Sequence, residues 1–232
     1  MEQLEGQAAV VTGTAQGIGR AIADLFEAEG ARVHRVDKDS VDLRDPAAVD
    51  AFFGALGELH ILVNDAGGVQ GQTHTPIDEL TDAAWDAVLD ANLRTAFNCT
   101  RAAARIMKAS GYGRIVTISS GAGRSVSLTG IQAYTSAKAG QIGFTRQMAH
   151  ELGPYGITVN CIAPGFVLSN PTTQAQWDSY GEEGQRALVE GIATRRIGQP
   201  HDIARAALFF AVQDAGWVSG QTISIDGGHS LF

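Results

Sequence analysis

Short runs rich in Val and Ile alternate along the whole chain with longer Ala-rich stretches of helical character. This alternation constrains the fold more than any other feature, because parallel strands need helical crossovers and end up buried between two helical layers. It predicts strands at Ala8 to Thr12, Arg32 to Val36, Leu59 to Val63, Arg114 to Ser119, Thr158 to Ile162 and Thr222 to Ile225. Helices are expected near residues 18–29, 46–57, 81–110, 133–153 and 201–213. With 232 residues, no linker and no internal repeat, the pattern describes one α/β domain over residues 1–232.

One interval breaks the alternation. Asp37 closes the second strand, and Asp42-Leu43 follows only five residues later. A parallel crossover needs a dozen or more residues. Residues 38–43 are therefore expected to form a turn or an edge fragment. The third strand of a regular doubly wound sheet, with its preceding helix, would be truncated or missing, and Leu59 to Val63 would be the next full strand.

Charge and composition exclude several functions. Seventeen basic against twenty-five acidic residues give a net charge of −8, the wrong sign for binding nucleic acid or an anionic membrane. No apolar run approaches the roughly 18 residues needed to span a bilayer, and the N-terminus lacks the pattern of a signal peptide. Cys99 and Cys161 stand far apart without CxxC spacing, which suits a reducing compartment, so a cytoplasmic protein is expected. The six His residues lack the i, i+4 spacing of a ligand pair, and no metal is expected.

Chemistry concentrates in two places. Thr12-Gly13-Thr14-Ala15-Gln16-Gly17-Ile18-Gly19 stands where an apolar strand ends and a helix begins. Glycines at 13, 17 and 19 permit a tight turn and let backbone N–H groups approach a pyrophosphate at the positive end of the helix. About twenty residues on, Asp37 ends the second strand, where a carboxylate can accept hydrogen bonds from a ribose 2′-hydroxyl. Against a 2′-phosphate it is repulsive: at ~4 Å and an effective dielectric of ~20, each unit charge costs about 4 kcal/mol, or roughly a thousandfold preference for NAD over NADP. Arg35 and Lys38 flank Asp37 and are the competing cations. Elsewhere, Tyr134 and Lys138 lie four apart on a predicted helix and so share a face. An ammonium beside the phenol is expected to lower its pKa toward the working range. Ser119-Ser120 ends the strand begun at Arg114, at the carboxyl edge of the sheet where such folds bind ligands. The Ser120 hydroxyl could polarise a carbonyl or steady an alkoxide.

Together with Asn64-Asp65-Ala66-Gly67, Asn92 and Pro164-Gly165, these motifs span essentially the whole chain, which resembles the short-chain dehydrogenase/reductase family of non-extended type. The resemblance implies a Rossmann-like fold and a catalytic set. Tyr134 would be the acid/base, Lys138 its pKa modifier and ribose ligand, Ser120 the substrate-orienting hydroxyl, and Asn92 the support of a relay water. It further implies that Gly13, Thr14, Gln16, Gly17, Ile18 and Gly19 surround the pyrophosphate and Asp37 the adenosine ribose. Asp42 and Leu43 would flank the adenine, Asn64, Ala66 and Gly67 the ribose side, and Ile162, Pro164, Gly165, Val167 and Ser169 the nicotinamide, with Tyr134 and Lys138 also touching cofactor. Asp65 departs from the family, which has Asn there, and adds a charge near the sheet edge.

The expected activity is NAD-dependent hydride transfer with a secondary alcohol or ketone. Residues 166–200 would form a lid. Trp177 and Tyr180 are expected either as pocket walls or as internal packing, Asn170 and Gln174 as polar contacts, and Arg124 as an anion contact or a surface residue. A polar lid points to a sugar, polyol or hydroxy acid. A 3-oxoacyl-thioester reductase is the alternative, kept open by Arg195 and Arg196, and an NAD-sensing protein without turnover is a second. The long helices at 81–110 and 133–153 suggest a homotetramer, with Gly216 to Phe232 at a second interface.

Overall fold

A computed structural model describes residues 2–127 and 129–230. Six parallel strands form one sheet: β1 (Ala8–Thr12), β2 (Arg32–Val36), β3 (Ile61–Asn64), β4 (Gly113–Ile118), β5 (Ile157–Pro164) and β6 (Thr222–Ile225), in spatial order β2-β1-β3-β4-β5-β6. The helices are α1 (Gly17–Ala28), α2 (Pro46–Gly54), α3 (Asp82–Leu89), α4 (Thr95–Ser110), α5 (Gly121–Arg124), α6 (Gln132–Leu152), α7 (Pro171–Ser179), α8 (Gly181–Gly191) and α9 (Pro200–Ala211). This is the expected Rossmann-like, doubly wound sheet.

Side chains alternate between the two faces, as strand geometry requires. Ala9, Val11, Ile61 and Val63 join Ile22 and Phe26 of α1 and Ile203, Ala207 and Leu208 of α9 in one core. Val10, Leu62, Ile115 and Val159 join Phe53 of α2 and Cys99, Ala103 and Met107 of α4 in the other. Every residue of β1, β3, β4 and β5 is buried, which is why these strands are rich in Val and Ile rather than alternating apolar with charged residues.

β2 is the sheet edge. From Asp37 the chain turns at once, with Ser40 N–H and Val41 N–H both bonded to the Asp37 carbonyl, and enters α2 through Asp45, whose side chain accepts from Ala47 N–H at 2.9 Å. Among the described residues no strand lies beyond β2, so the shortened interval does omit a strand. One helix departs from expectation. The stretch read as a single helix over 81–110 is α3 and α4 joined by a π-turn at Asp90–Arg94.

The chain leaves β1 toward β2 on one side and returns to β3 on the other. Strand order therefore reverses between β1 and β3, which pair in register Val11↔Val63. The crevice at the carboxyl ends of those two strands is where open α/β sheets accept ligands.

Candidate active site

The glycine turn occupies that crevice. Gly13 and Gly17 take φ of +76° and +63°, a conformation that L side chains resist. Space is as restrictive as torsion. A methyl on Gly13 would meet Ala66 N at 3.0 Å, one on Gly17 would meet Ser169 O at 2.8 Å, and one on Gly19 would run into the Gly13 carbonyl. Thr12 staples the two strand ends together: its hydroxyl donates to Val63 O and accepts from Asp65 N–H and Ala66 N–H, each at 3.0 Å. Thr14 bonds Val36 O through its N–H, and Ile18 packs into the core. Gln16 is the N-cap of α1 yet makes no side-chain capping bond, and the first turn carries no acidic residue. No side chain of the N-cap or first turn fills the positive end of α1, and the close-packed glycines 13, 17 and 19 fit a pyrophosphate.

Asp37 closes one wall. Its carboxylate accepts from Ala15 N–H and Lys38 N–H, each at 2.8 Å, tying the glycine turn to the end of β2. Arg35 faces away from this wall, locked to Asp24 at 2.5 Å and Glu27 at 2.8 Å. Lys38 is exposed. Asp42 pairs with Arg44, and Leu43 is buried beneath it, its carbonyl held by Asn98 at 3.0 Å. Asn64 is buried and donates to Thr100 at 3.1 Å. At Gly67 a Cβ would collide with the Asn92 amide oxygen. Asn92 itself sits in the π-turn. Its side chain accepts from Gly68 N–H at 3.1 Å and donates to Gly68 O and Val88 O at 2.8 Å, while its carbonyl accepts from Gln141 at 3.1 Å. It therefore anchors the strand exit that carries Ala66 and Gly67. At the end of β5, Gly165 N–H bonds Ile225 O, and a methyl there would meet Asp226 Cβ at 2.6 Å. Pro164 ends that strand, Val167 is buried and bridges to Gly198, and Ser169 begins the segment packed over Gly17.

Tyr134 and Lys138 project from the first turns of α6. Lys138 is 4% exposed; its ammonium lies 5.5 Å from the Tyr134 ring centroid and donates to Ile118 O at 2.9 Å. Ser119 fixes the helix to the sheet by donating to Lys138 O at 2.8 Å. Ser120 caps α5, accepting from Ala122 N–H at 3.2 Å, and its hydroxyl hydrogen-bonds the Tyr134 phenol, drawing that pKa down. The net shift is nonetheless upward. Burial outweighs the Ser120 bond, and the Asp65 charge pushes the same way. The expectation of a lowered phenol pKa is therefore corrected: burial of the ring outweighs what lowers it.

Residues 166–200 turn inward on themselves. Trp177 and Tyr180 each stack on Phe166 at 5.9 Å, Asn170 is the N-cap of α7, and Gln174 bonds Asp178. These four residues pack within the segment. Arg124 is committed to β6, bonding Thr222 O and Ser224. Sequence reading missed Gln132, whose amide donates to Thr75 O at 2.6 Å and ties the 66–80 loop to α6. Among the described residues, no cluster of three or more His, Cys, Asp or Glu side chains could hold a metal, and no helix is long and apolar enough to cross a membrane.

A family model described as enoyl-(acyl carrier protein) reductase, a branch of the short-chain dehydrogenases, matches residues 39–230. The chain belongs to the short-chain dehydrogenase/reductase family. It is 36% identical to the (2S)-[(R)-hydroxy(phenyl)methyl]succinyl-CoA dehydrogenase subunit BbsD of Thauera aromatica, covering 99% of this chain and 98% of that protein. The alignment runs over 254 positions, more than this chain contains, so the relative carries segments that are absent here. A protein assigned as a 2-deoxy-d-gluconate 3-dehydrogenase from Agrobacterium tumefaciens, with bound NADP, superposes with a TM-score of 0.89 at 33% identity over 98% of both chains. A 3-oxoacyl-[acyl-carrier protein] reductase from Brucella melitensis, with bound NAD, superposes at 0.87 with 30% identity, covering 98% of this chain and 92% of that one. Short-chain dehydrogenases are oxidoreductases that bind a nicotinamide cofactor, and relatives this similar are found with either NAD or NADP. In this short-chain dehydrogenase the crevice between β1 and β3 and the Ser120–Tyr134–Lys138 group lie along one carboxyl edge of the sheet.

Proposed function

We propose that the protein is a cytoplasmic, NAD-dependent dehydrogenase that oxidises a secondary alcohol of a hydroxylated small molecule to the ketone, reversibly. The observation that carries the choice of NAD is the wall at the end of β2. Asp37 presents its carboxylate beside the glycine turn, while Arg35, the nearest strand cation, is locked to Asp24 and Glu27. A 2′-phosphate would meet a fixed negative charge there.

The cofactor's ribose and pyrophosphate would be held by Asp37 and by the backbone of residues 13–19, with Asp42 and Leu43 at the adenine. Asn64, Ala66 and Gly67 would line the ribose side, and Pro164, Gly165, Val167 and Ser169 the nicotinamide. When bound, the nicotinamide supplies the hydride acceptor for oxidation and the donor for reduction. Ser120 orients the substrate oxygen by a hydrogen bond. Tyr134, bonded to the same hydroxyl, removes the alcohol proton in oxidation and returns it in reduction. Lys138 lies behind the phenol and holds the proton path open on the side away from substrate. Asn92 fixes the Gly67–Gly68 segment and serves the relay through its backbone position beside Gln141.

A second reading, oxidation or reduction of a β-hydroxyacyl or 3-oxoacyl thioester, is favoured by the names of the Thauera and Brucella relatives. Against an acidic carrier protein stand the net charge of −8 and the pairing of Arg196 with Asp202 at 2.7 Å.

The proposal includes self-association into a homotetramer. Phe97 of α4 is exposed beside Phe144 of α6, and Trp217 is fully exposed next to the start of β6. These are two separate apolar faces of the kind that pair copies of a chain. Leu231 and Phe232, assigned to the second face from the sequence, lie outside the described residues. Light scattering after size exclusion reads the assembly, and a monomer would refute it. The activity is tested by NADH and NADPH formation from polyols, sugars, hydroxy acids and β-hydroxyacyl thioesters. NADH formed from a hydroxylated small molecule is the expected result. Turnover of thioesters alone would favour the second reading, and none at all would overturn both.

A further inference from the structure

Asp65 is the residue in the crevice that the family pattern does not explain. It follows β3 directly, its backbone N–H is held by Thr12 at 3.0 Å, and its carboxylate is turned under the glycine turn. A methyl on Gly19 would lie 2.7 Å from its Oδ2, and one on Gly13 would lie 3.2 Å away. The carboxylate therefore lies against the first turn of α1, beside its anion-attracting start.

Every charged or titratable group facing it bears on its state. Among the described residues, Lys138 of α6 is the cation that acts on it, and it favours the ionised form. Asp37 at the end of β2 opposes it, and Tyr134 of α6 is itself affected by its charge. Cys161 of β5 interacts with Lys138 rather than with Asp65 directly. Burial outweighs the lysine and pushes the Asp65 carboxyl up to about 7, while burial pulls Lys138 down to about 8. Near neutral pH the carboxyl is thus divided between its two forms.

We infer that Asp65 is a determinant of cofactor affinity: the dinucleotide binds to the form of the protein in which this carboxyl is protonated, and binding takes up a proton from solvent. The inference rests on the nicotinamide-cofactor reading of the glycine turn. A pyrophosphate seated against the α1 N-terminus would bring negative charge beside a carboxylate packed under Gly13 and Gly19. It would also cover what remains exposed of this half-buried side chain. Both effects disfavour the ionised form. The Asn found at this position in the family carries no charge and creates no such linkage.

The test is calorimetric titration of the full chain with NADH, and with NADPH in parallel, in two buffers of different ionisation enthalpy at pH 7. NADH is the better probe because its ring carries no positive charge to offset the pyrophosphate. The wild type is expected to take up a measurable fraction of a proton per dinucleotide, and its Kd to rise with pH through the neutral range. Asp65→Asn is expected to bind with uptake near zero and a Kd that is flat over the same range. A wild type that binds without proton uptake overturns the inference, and that measurement needs no variant to fold. An Asp65→Asn protein that binds with undiminished uptake overturns it too, by assigning the proton to another group such as Lys138. Absence of binding by the wild type to either dinucleotide overturns the cofactor reading itself, and this inference with it.

Discussion

The two halves of the cleft are built on opposite principles. On the β1–β3 side, side chains reach backbone across long sequence distances: Thr12 to Asp65 and Ala66, Asp37 to Ala15, Asn92 to Gly68. Each of these fixes backbone against backbone, and the result is a rigid cradle. On the 166–200 side, the side chains spend their bonding capacity on near neighbours. Asn170 caps its own helix, Gln174 bonds Asp178 and Gln176 bonds Tyr180. A segment held mainly by its own contacts can shift as a unit without breaking the sheet edge. The cradle therefore fixes the cofactor, and the segment over it sets what else enters.

The largest effect separates chemistry from both halves. Tyr134→Phe keeps the ring and its packing but removes the proton that the reaction moves. Turnover is expected to fall at least about 100-fold, with NADH binding, followed by fluorescence titration, changed less than about twofold. Loss of binding in parallel would mean that Tyr134 belongs to the cradle. Burial holds the phenol above its ordinary value. Oxidation needs the deprotonated form, so kcat/KM for alcohol oxidation is expected to rise with pH and be lost as pH falls; a pH-rate profile checks the sign.

Within the cradle, Asp37→Asn keeps an acceptor for Ala15 N–H but removes the charge. The ratio of kcat/KM with NAD to that with NADP is expected to fall by about tenfold to a thousandfold, the span allowed by like-charge repulsion at an effective dielectric of ~20 or higher. An unchanged ratio would show that the β2 end does not read the 2′ position. Gly19→Ala is expected to act more generally. Its methyl would strike the Gly13 carbonyl and crowd the Asp65 carboxylate, and neither can withdraw without opening the turn. NADH and NADPH are both expected to bind at least about tenfold more weakly, with a fall in melting temperature of several degrees. A change confined to one cofactor would contradict a rigid cradle.

The two halves also differ in how far the sequence discloses them. Gly13, Gly17, Gly19 and Asp37 are legible because a strand end, a turn and a helix start are local events, each with its own composition. The absent strand after Asp37 was legible for the same reason, since a five-residue interval cannot span a crossover. The π-turn at Asp90–Arg94 was not, because it interrupts an Ala-rich stretch that reads as one continuous helix. Its presence depends on Asn92 reaching Gly68, twenty-four positions away. Asp65 was visible as a charge, but its partial burial and its interaction with Lys138 arise only when α6 packs on β5. The same holds for the phenol: the i, i+4 spacing places Lys138 near Tyr134 correctly, but the sign of the shift is set by burial and by Asp65, which no helical spacing reveals. In the 166–200 segment, composition marked Trp177 and Tyr180 as aromatic walls or packing, and only the contact with Phe166 decides between them.

That contact yields the smallest effect and the one that most directly probes independence of the halves. Trp177 stacks on Phe166 at 5.9 Å with planes inclined by 36°, and aromatic pairs of this kind contribute about 0.5–1.5 kcal/mol beyond the area they bury. Trp177→Ala is expected to lower unfolding stability by about 1–3 kcal/mol, the transfer and pairing losses of a half-buried ring. Phe166 directly follows Gly165, which is fixed to Ile225 by its own N–H, so the loss should stop there and not pass into the sheet edge. The measurements are therefore KM for substrate, expected to rise a few-fold as the segment loosens, and Kd for NADH, expected to stay where it is. If the two constants rise together, the segment is part of the cradle and the division drawn between the halves fails at Gly165.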